Sequence, residues 1–233
     1  MNIHRFADDE LITGAAEAIA AIVRDAADVR GVAHVALAGG STPQPVYERL
    51  ATITLPWDRV ELWFGDERMV PPDHPSSNYR MARTSLIDPV GARSHRIRGE
   101  LDATLAAEAY ERELVDARGT PPQLDLVLLG LGGDGHTASL FPHSAALEPT
   151  ARWVVPATTT TGEPRVSLTA GAITAARHVR FLVSGTGKAG VLAEVLEGPR
   201  DPGRLPAQLI AFGDTDVEWF IDHAAAAQLR RTP

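Results

Sequence analysis

The chain has 233 residues, a net charge of −8 and no cysteine. Apolar residues make up 44% and charged residues 22%, the balance of a globular chain rather than a disordered one. These figures exclude a disulfide framework, a thiolate metal site and a cysteine nucleophile, and the negative balance argues against general nucleic-acid binding. A local basic pocket for an anionic small molecule stays open.

Met1–Glu10 carries three acidic residues and no apolar run, so it does not read as a signal peptide. Leu11–Val23 is interrupted by Glu17 and is too short to span a bilayer. A cytoplasmic protein with no membrane or nucleic-acid partner is expected. Residues 9–28 place apolar side chains at helical spacing, with Asp8 as the N-cap. Val32–Ala38 reads as a strand ending at Gly39-Gly40, and Ser41-Thr42-Pro43 opens a helix. Val60–Phe64 is a second strand. Asn78–Leu86 and Ala103–Ala117 read as helices. Leu124–Leu129 is apolar apart from Asp125, as in a strand buried on both faces. Trp153–Pro156 and Arg165–Leu168 are shorter extended candidates. Val179–Val183 is another buried strand, and Lys188–Leu196 a helix. Leu209–Phe212 reads as a last strand and Phe220–Arg230 as a terminal, Ala-rich helix.

Alternating β and α units imply one doubly wound α/β domain over 1–233: a mostly parallel, Rossmann-like sheet with helices on both faces. A small insertion at about 145–170 fits the pattern. Each Gly-rich loop then follows the C-terminal end of a strand: Gly39–Thr42, Gly65–Arg68, Gly130–His136 and Ser184–Lys188. In an open parallel sheet those ends share one edge, where ligands bind.

The loops differ in chemistry. In Gly39-Gly40-Ser41-Thr42-Pro43, glycines let N–H groups approach an anion, hydroxyls add donors, and the following helix N-terminus favours negative charge. Ser184-Gly185-Thr186-Gly187-Lys188 resembles a phosphate loop. It is not a Walker A motif, because Leu182 stands where the first Gly is needed and Ala189 follows the Lys. A monophosphate held by N–H groups and an ammonium fits better. Of the 22 basic residues, Lys188 alone is Lys. An ammonium differs from a guanidinium in shape and reach, so its retention in this loop points to use. Gly130–Gly135 formally matches G-x-G-x-x-G. The next strand candidate runs into Pro156-Ala157-Thr158 rather than an acidic residue, which disfavours a dinucleotide.

His136 follows Asp134 by two residues. Neutral imidazole beside a carboxylate suits a general base near pH 7. His4, His34, His74, His95, His178 and His223 lack such company in sequence. His143 lies nearby, but two histidines without further ligands make a poor metal site. No G-x-S-x-G elbow is present.

Taken together, AGGSTP (38–43), FGDER (64–68), VPPDHPSSN (70–78), LGLGGDGHTASLFP (129–142) and Gly187-Lys188-Ala189 resemble the 6-phosphogluconolactonases of the glucosamine-6-phosphate isomerase/6-phosphogluconolactonase superfamily. The resemblance covers nearly the whole chain. Where that family usually continues Phe-Pro-Gly-His, this chain has Phe141-Pro142-His143-Ser144. The related deaminating isomerases carry Gly-His-Ile-Ala-Phe-Asn-Glu-Pro in this loop, and their ring-opening Glu falls on Phe141.

The resemblance implies hydrolysis of 6-phospho-D-glucono-1,5-lactone to 6-phosphogluconate, in the oxidative branch of the pentose phosphate pathway, with no metal or cofactor. His136 would activate water, oriented by Asp134 or Asp66. Arg68 or N–H groups of the Gly132–Gly135 loop would stabilise the oxyanion. Gly39, Gly40, Ser41, Thr42, Gly132, Gly133 and Lys188, with Arg165 beside them, would hold the phosphorylated sugar. Glu67 and Asn78 would brace loops or meet sugar hydroxyls. The chain would act as a monomer or small homo-oligomer. The alternatives are a glucosamine-6-phosphate deaminase, which lacks its Glu here, and a non-catalytic sugar-phosphate sensor, which would need no His136.

Overall fold

The computed structural model describes residues 2–7, 10–148 and 150–230. Strand β1 (Asn2–Phe6) precedes the long helix α1 (Leu11–Arg30). Helix α1 buries Leu11, Ala15, Ile19, Val23 and Ala26, spaced three or four apart, so a single apolar face meets the sheet. The Asp8 cap expected for it lies outside the described residues. Strand β2 (Ala33–Leu37) leads to α2 (Pro43–Leu50), with Pro43 in the first turn as the sequence requires. Strand β3 (Val60–Phe64) is followed, after Gly65, by the short strand β4 (Asp66–Arg68).

The helix expected over 78–86 opens as α3 (Asn78–Ala82), passes through a π-helical turn at Arg83–Ile87 and closes as α4 (Asp88–Val90). After β5 (Arg93–Ser94) comes α5 (Ala103–Arg118). The Asp102 carboxylate caps it, accepting the N–H groups of Thr104 at 2.9 Å and Leu105 at 3.3 Å. Such a cap stabilises by about 1 kcal/mol. The rest follows as β6 (Leu126–Leu129), β7 (Val154–Thr158), β8 (Pro164–Leu168), α6 (Ala170–Thr174), β9 (His178–Val183), α7 (Ala189–Glu197), α8 (Ala207–Ala211) and β10 (Asp216–Asp222).

Two expectations at the C-terminal end are overturned. Residues 209–212 do not form a strand; Leu209–Ala211 belong to α8, which Pro206 starts and which buries Gln208 and Ile210. A short apolar run fits either element, and here the Pro decides. Phe220–Asp222 end a strand rather than opening a helix, and only Ala225–Gln228 form a short 3-10 turn. In β10, Val217 and all of Trp219–Asp222 are buried, as in a strand covered on both faces. Trp219 stacks on Phe181 of β9 with ring centroids 3.8 Å apart. That cross-strand packing outweighs the helix propensity of the alanines that follow.

The doubly wound α/β class is the one observed. The seven strands of the main sheet run parallel in the order β1-β10-β9-β6-β2-β3-β5. Strands β2, β6 and β9 are buried almost throughout, so they read as apolar runs rather than alternating ones. From β2 the chain winds to β3 on one side; from β6 it winds to β9 on the other. The reversal lies between β2 and β6, where the loops diverge and leave a crevice. A second, antiparallel sheet has the order β4-β8-β7. Residues 145–170, where an insertion was expected, carry β7 and β8. In that sheet Arg68 stands opposite Arg165. No helix among the described residues is long and apolar enough to cross a membrane.

Candidate active site

Two buried tyrosines pin the strand ends that carry the first loops. Tyr47 of α2 donates its hydroxyl to the Ala38 carbonyl at 2.9 Å and accepts the Ala38 N–H at 2.8 Å. Tyr110 of α5 does the same at Phe64, at 3.0 and 2.7 Å. Each satisfies backbone groups at or beside a strand end. Burial pushes both phenols well above the ordinary tyrosine range, so they stay protonated donors.

A cavity of about 410 Å³ opens at the switch point. All four Gly-rich loops reach it, and Gly39, Gly40, Ser41, Thr42, Asp66, Arg68, Gly132, Gly133, His136, Arg165 and Lys188 line it. Asp134 does not line it but stands behind His136. Three cations and one carboxylate of this set face the space, so an acidic chain presents a basic pocket. Among the described residues Lys188 Nζ has no hydrogen-bond or ion-pair partner, which leaves its charge available to an anion. Arg165 is paired with Glu163 at 2.9 Å.

Asp134 Oδ1 lies 2.5 Å from His136 Nδ1 and also accepts the His136 N–H at 3.1 Å. Partial burial pushes the Asp134 carboxyl up, but the His136 charge and these two bonds outweigh it and hold it below the usual range. With a carboxylate on Nδ1, that nitrogen carries the proton and Nε2 keeps the lone pair. A Cβ on Gly132 would overlap both His136 Nδ1 and Asp134 Oδ1, so only glycine lets the pair lie there. Gly132 also gives its N–H to the His136 carbonyl at 2.8 Å, and Gly135 gives its own to Gly132 at 3.1 Å. Among the described residues the Gly133 N–H has no protein acceptor.

Asp66 is engaged elsewhere. It accepts from Ser139 Oγ at 2.6 Å and from Asn78 Nδ2 at 3.1 Å. The Asn78 amide oxygen in turn accepts from Arg68 Nη1, which also donates to the Ser76 carbonyl at 2.9 Å. Ser139, Asp66, Asn78 and Arg68 thus form one chain along a cavity wall. Glu67 is buried beneath it and accepts the N–H groups of Arg68, Asn78 and Tyr79 at 2.7–2.8 Å and the Ser77 hydroxyl at 3.0 Å. Burial raises its carboxyl above the usual range although these N–H bonds oppose the shift. Glu67 therefore braces the loop, and Asn78 both braces it and lines the cavity. Thr42 Oγ1 and Ser184 Oγ, both lining the cavity, are 2.8 Å apart.

Other histidines do meet carboxylates, contrary to what the sequence showed. His4 pairs with Glu218, His178 with Asp216, and His95 with both Glu61 and Glu113. None of these three lines the cavity, so position rather than an acidic neighbour singles out His136. His143 is exposed and away from the cavity. It stands at φ 56°, a left-handed conformation that suits glycine. Among the described residues no three His, Asp or Glu side chains gather as metal ligands.

The family model for glucosamine-6-phosphate isomerases/6-phosphogluconolactonase matches residues 7–219. The chain belongs to this family. A 6-phosphogluconolactonase of Synechocystis sp. is 42% identical over 210 residues, 86% of each chain. One of Nostoc sp. is 41% identical over 84% of each. The crystal structure of a 6-phosphogluconolactonase from Shewanella baltica OS155 superposes with a TM-score of 0.87 at 30% identity, covering 95% of this chain and 97% of that one. The Phe141 ring centroid lies 4.7 Å from that of His136. Ser139, Phe141 and Ser184 line the cavity but were not singled out as site residues from sequence. The signal for the first two was their place in the loop after His136.

Proposed function

We propose that the chain hydrolyses 6-phospho-D-glucono-1,5-lactone to 6-phosphogluconate, in the oxidative branch of the pentose phosphate pathway, as one domain in the cytoplasm and as a monomer or small homo-oligomer. The observation that carries this reading is the surroundings of His136. One carboxylate fixes its tautomer and an apolar ring flanks it. Asp66, the carboxylate that lines the cavity, is tied to Ser139 and Asn78. Such a site offers one base and no second acid for an isomerisation. The names of the relatives at 41–42% identity support the same reading.

The geometry supports the following roles. His136 Nε2 takes a proton from water while the oxygen attacks the lactone carbonyl. The negative oxygen of the tetrahedral intermediate meets Arg68 or the free Gly133 N–H. As the bond to the ring oxygen breaks, the imidazolium returns its proton to that oxygen. The product acid then ionises in solvent. Lys188, Ser41 and Thr42 hold the phosphate, with Gly39 and Gly40 letting it approach, and Arg165 joins them if it exchanges Glu163 for the ligand. The reaction needs neither metal nor cofactor.

The test compares two substrates. With freshly generated lactone, 6-phosphogluconate should form well above the spontaneous rate, while glucosamine 6-phosphate should release no ammonia. The reverse pattern would assign the deaminase, and binding of both without turnover would assign a sensor.

A further inference from the structure

Asp222 ends β10, beside β9, and its side chain reaches beneath the loop that carries Lys188. It is 6% exposed and does not line the cavity. Both carboxylate oxygens accept the Gly185 N–H, at 2.8 and 3.1 Å. Oδ1 also accepts the Ala225 N–H at 2.6 Å. Gly185 stands at φ 91°, and its carbonyl accepts the Lys188 N–H at 3.0 Å, closing the turn Thr186–Lys188. Its neighbour Ser184 is tied to Thr42 of the first Gly-rich loop at 2.8 Å. The turn that presents Lys188 is thus held at two points.

This arrangement has a consequence for anion binding. A Gly-rich loop ordinarily turns its N–H groups toward a phosphate. Here the Gly185 N–H is turned toward a buried carboxylate and cannot serve the ligand. Hydrogen bonds to an ionised acceptor are short and strong, so the turn is held firmly. That removes one N–H from the donors a phosphate could use and puts more weight on the Lys188 ammonium, whose place depends on where the turn sits.

We propose that Asp222 is a positioning residue for phosphate binding, acting through Gly185 to set the turn that carries Lys188. The inference rests on the phosphosugar reading above. The experiment measures 6-phosphogluconate binding by calorimetry in the wild type, Asp222→Asn, Lys188→Ala and the double variant. Asn conserves volume but presents an N–H₂ group where the second oxygen met Gly185. Asp222→Asn is expected to weaken binding about tenfold, as losing one charge-assisted hydrogen bond would. In the Lys188→Ala background the same change should have less than about a twofold effect, because coupled residues do not add. Equal losses in both backgrounds, or no loss in either, would overturn the inference.

A second measurement needs no variant. In labelled wild type the Gly185 amide should be protected from exchange with and without 6-phosphogluconate. A freely exchanging amide would contradict the clamp. A wild type that binds no 6-phosphogluconate would overturn the phosphosugar reading and the inference with it, whereas normal wild-type binding with an unchanged Asp222→Asn overturns the inference alone.

Discussion

Phe141 sets its ring beside the His136 imidazole, centroids 4.7 Å apart and planes tilted by 50°. An apolar neighbour adds no charge beside the ring, whose Nδ1 meets Asp134. Phe141→Glu would place a carboxylate there. A nearby negative charge favours imidazolium over neutral imidazole. The acid limb of the kcat/KM profile for the phosphorylated lactone is expected to move to higher pH. An unmoved limb would mean that His136 is not the titrating base.

Asp134→Asn tests the tautomer. The amide can donate to Nδ1 as readily as accept from it, and donation moves the ring proton to Nε2. We expect kcat to fall by about 10²-fold, toward the lower end of what a positioned base supplies. Stability carries a second signature. The Asp134 carboxyl is held below its ordinary 3.8 in the fold, so its contribution is fully present above that pH. It is lost as pH falls through the lower folded value. The stability difference between wild type and variant should therefore close below about pH 3.8 and persist at neutral pH. Denaturant midpoints measured across pH check this, and a gap that widens in acid would reverse the assignment.

His143→Gly addresses the left-handed residue after Phe141-Pro142. A non-glycine side chain in that region costs roughly 1 kcal/mol, partly offset by the freer unfolded chain that glycine brings. The variant should melt at the same temperature or up to about 4 °C higher. Its kcat and KM should match wild type, since His143 lies outside the cavity. A loss of turnover would return His143 to the site.

Much of this was legible in the sequence because it is local. The strand over Val60–Phe64 matches at both ends, and the four Gly-rich loops converge because parallel strands end on one edge. Asp134 and His136 are two residues apart, so their bond could be anticipated as one of two options. Long-range contacts decided the rest. Ser139 draws Asp66 away from the imidazole across 73 positions. The bonds from Asp222 to Gly185 span 37 positions, and no motif announces them. Strand β10 was obscured by the alanines that follow it, and its register on β1 and β9 is settled by packing rather than by propensity. The three-residue β4 is too short to show alternation.

The central claim is that His136 is the base of a lactone hydrolase. The most direct measurement is 6-phosphogluconate formation from freshly generated lactone by wild type and His136→Ala, with the spontaneous rate subtracted and a chelator present. A positioned general base contributes about 10²–10⁴ in rate, so kcat should drop by that factor with KM nearly unchanged. A variant within about tenfold of wild type would contradict the account.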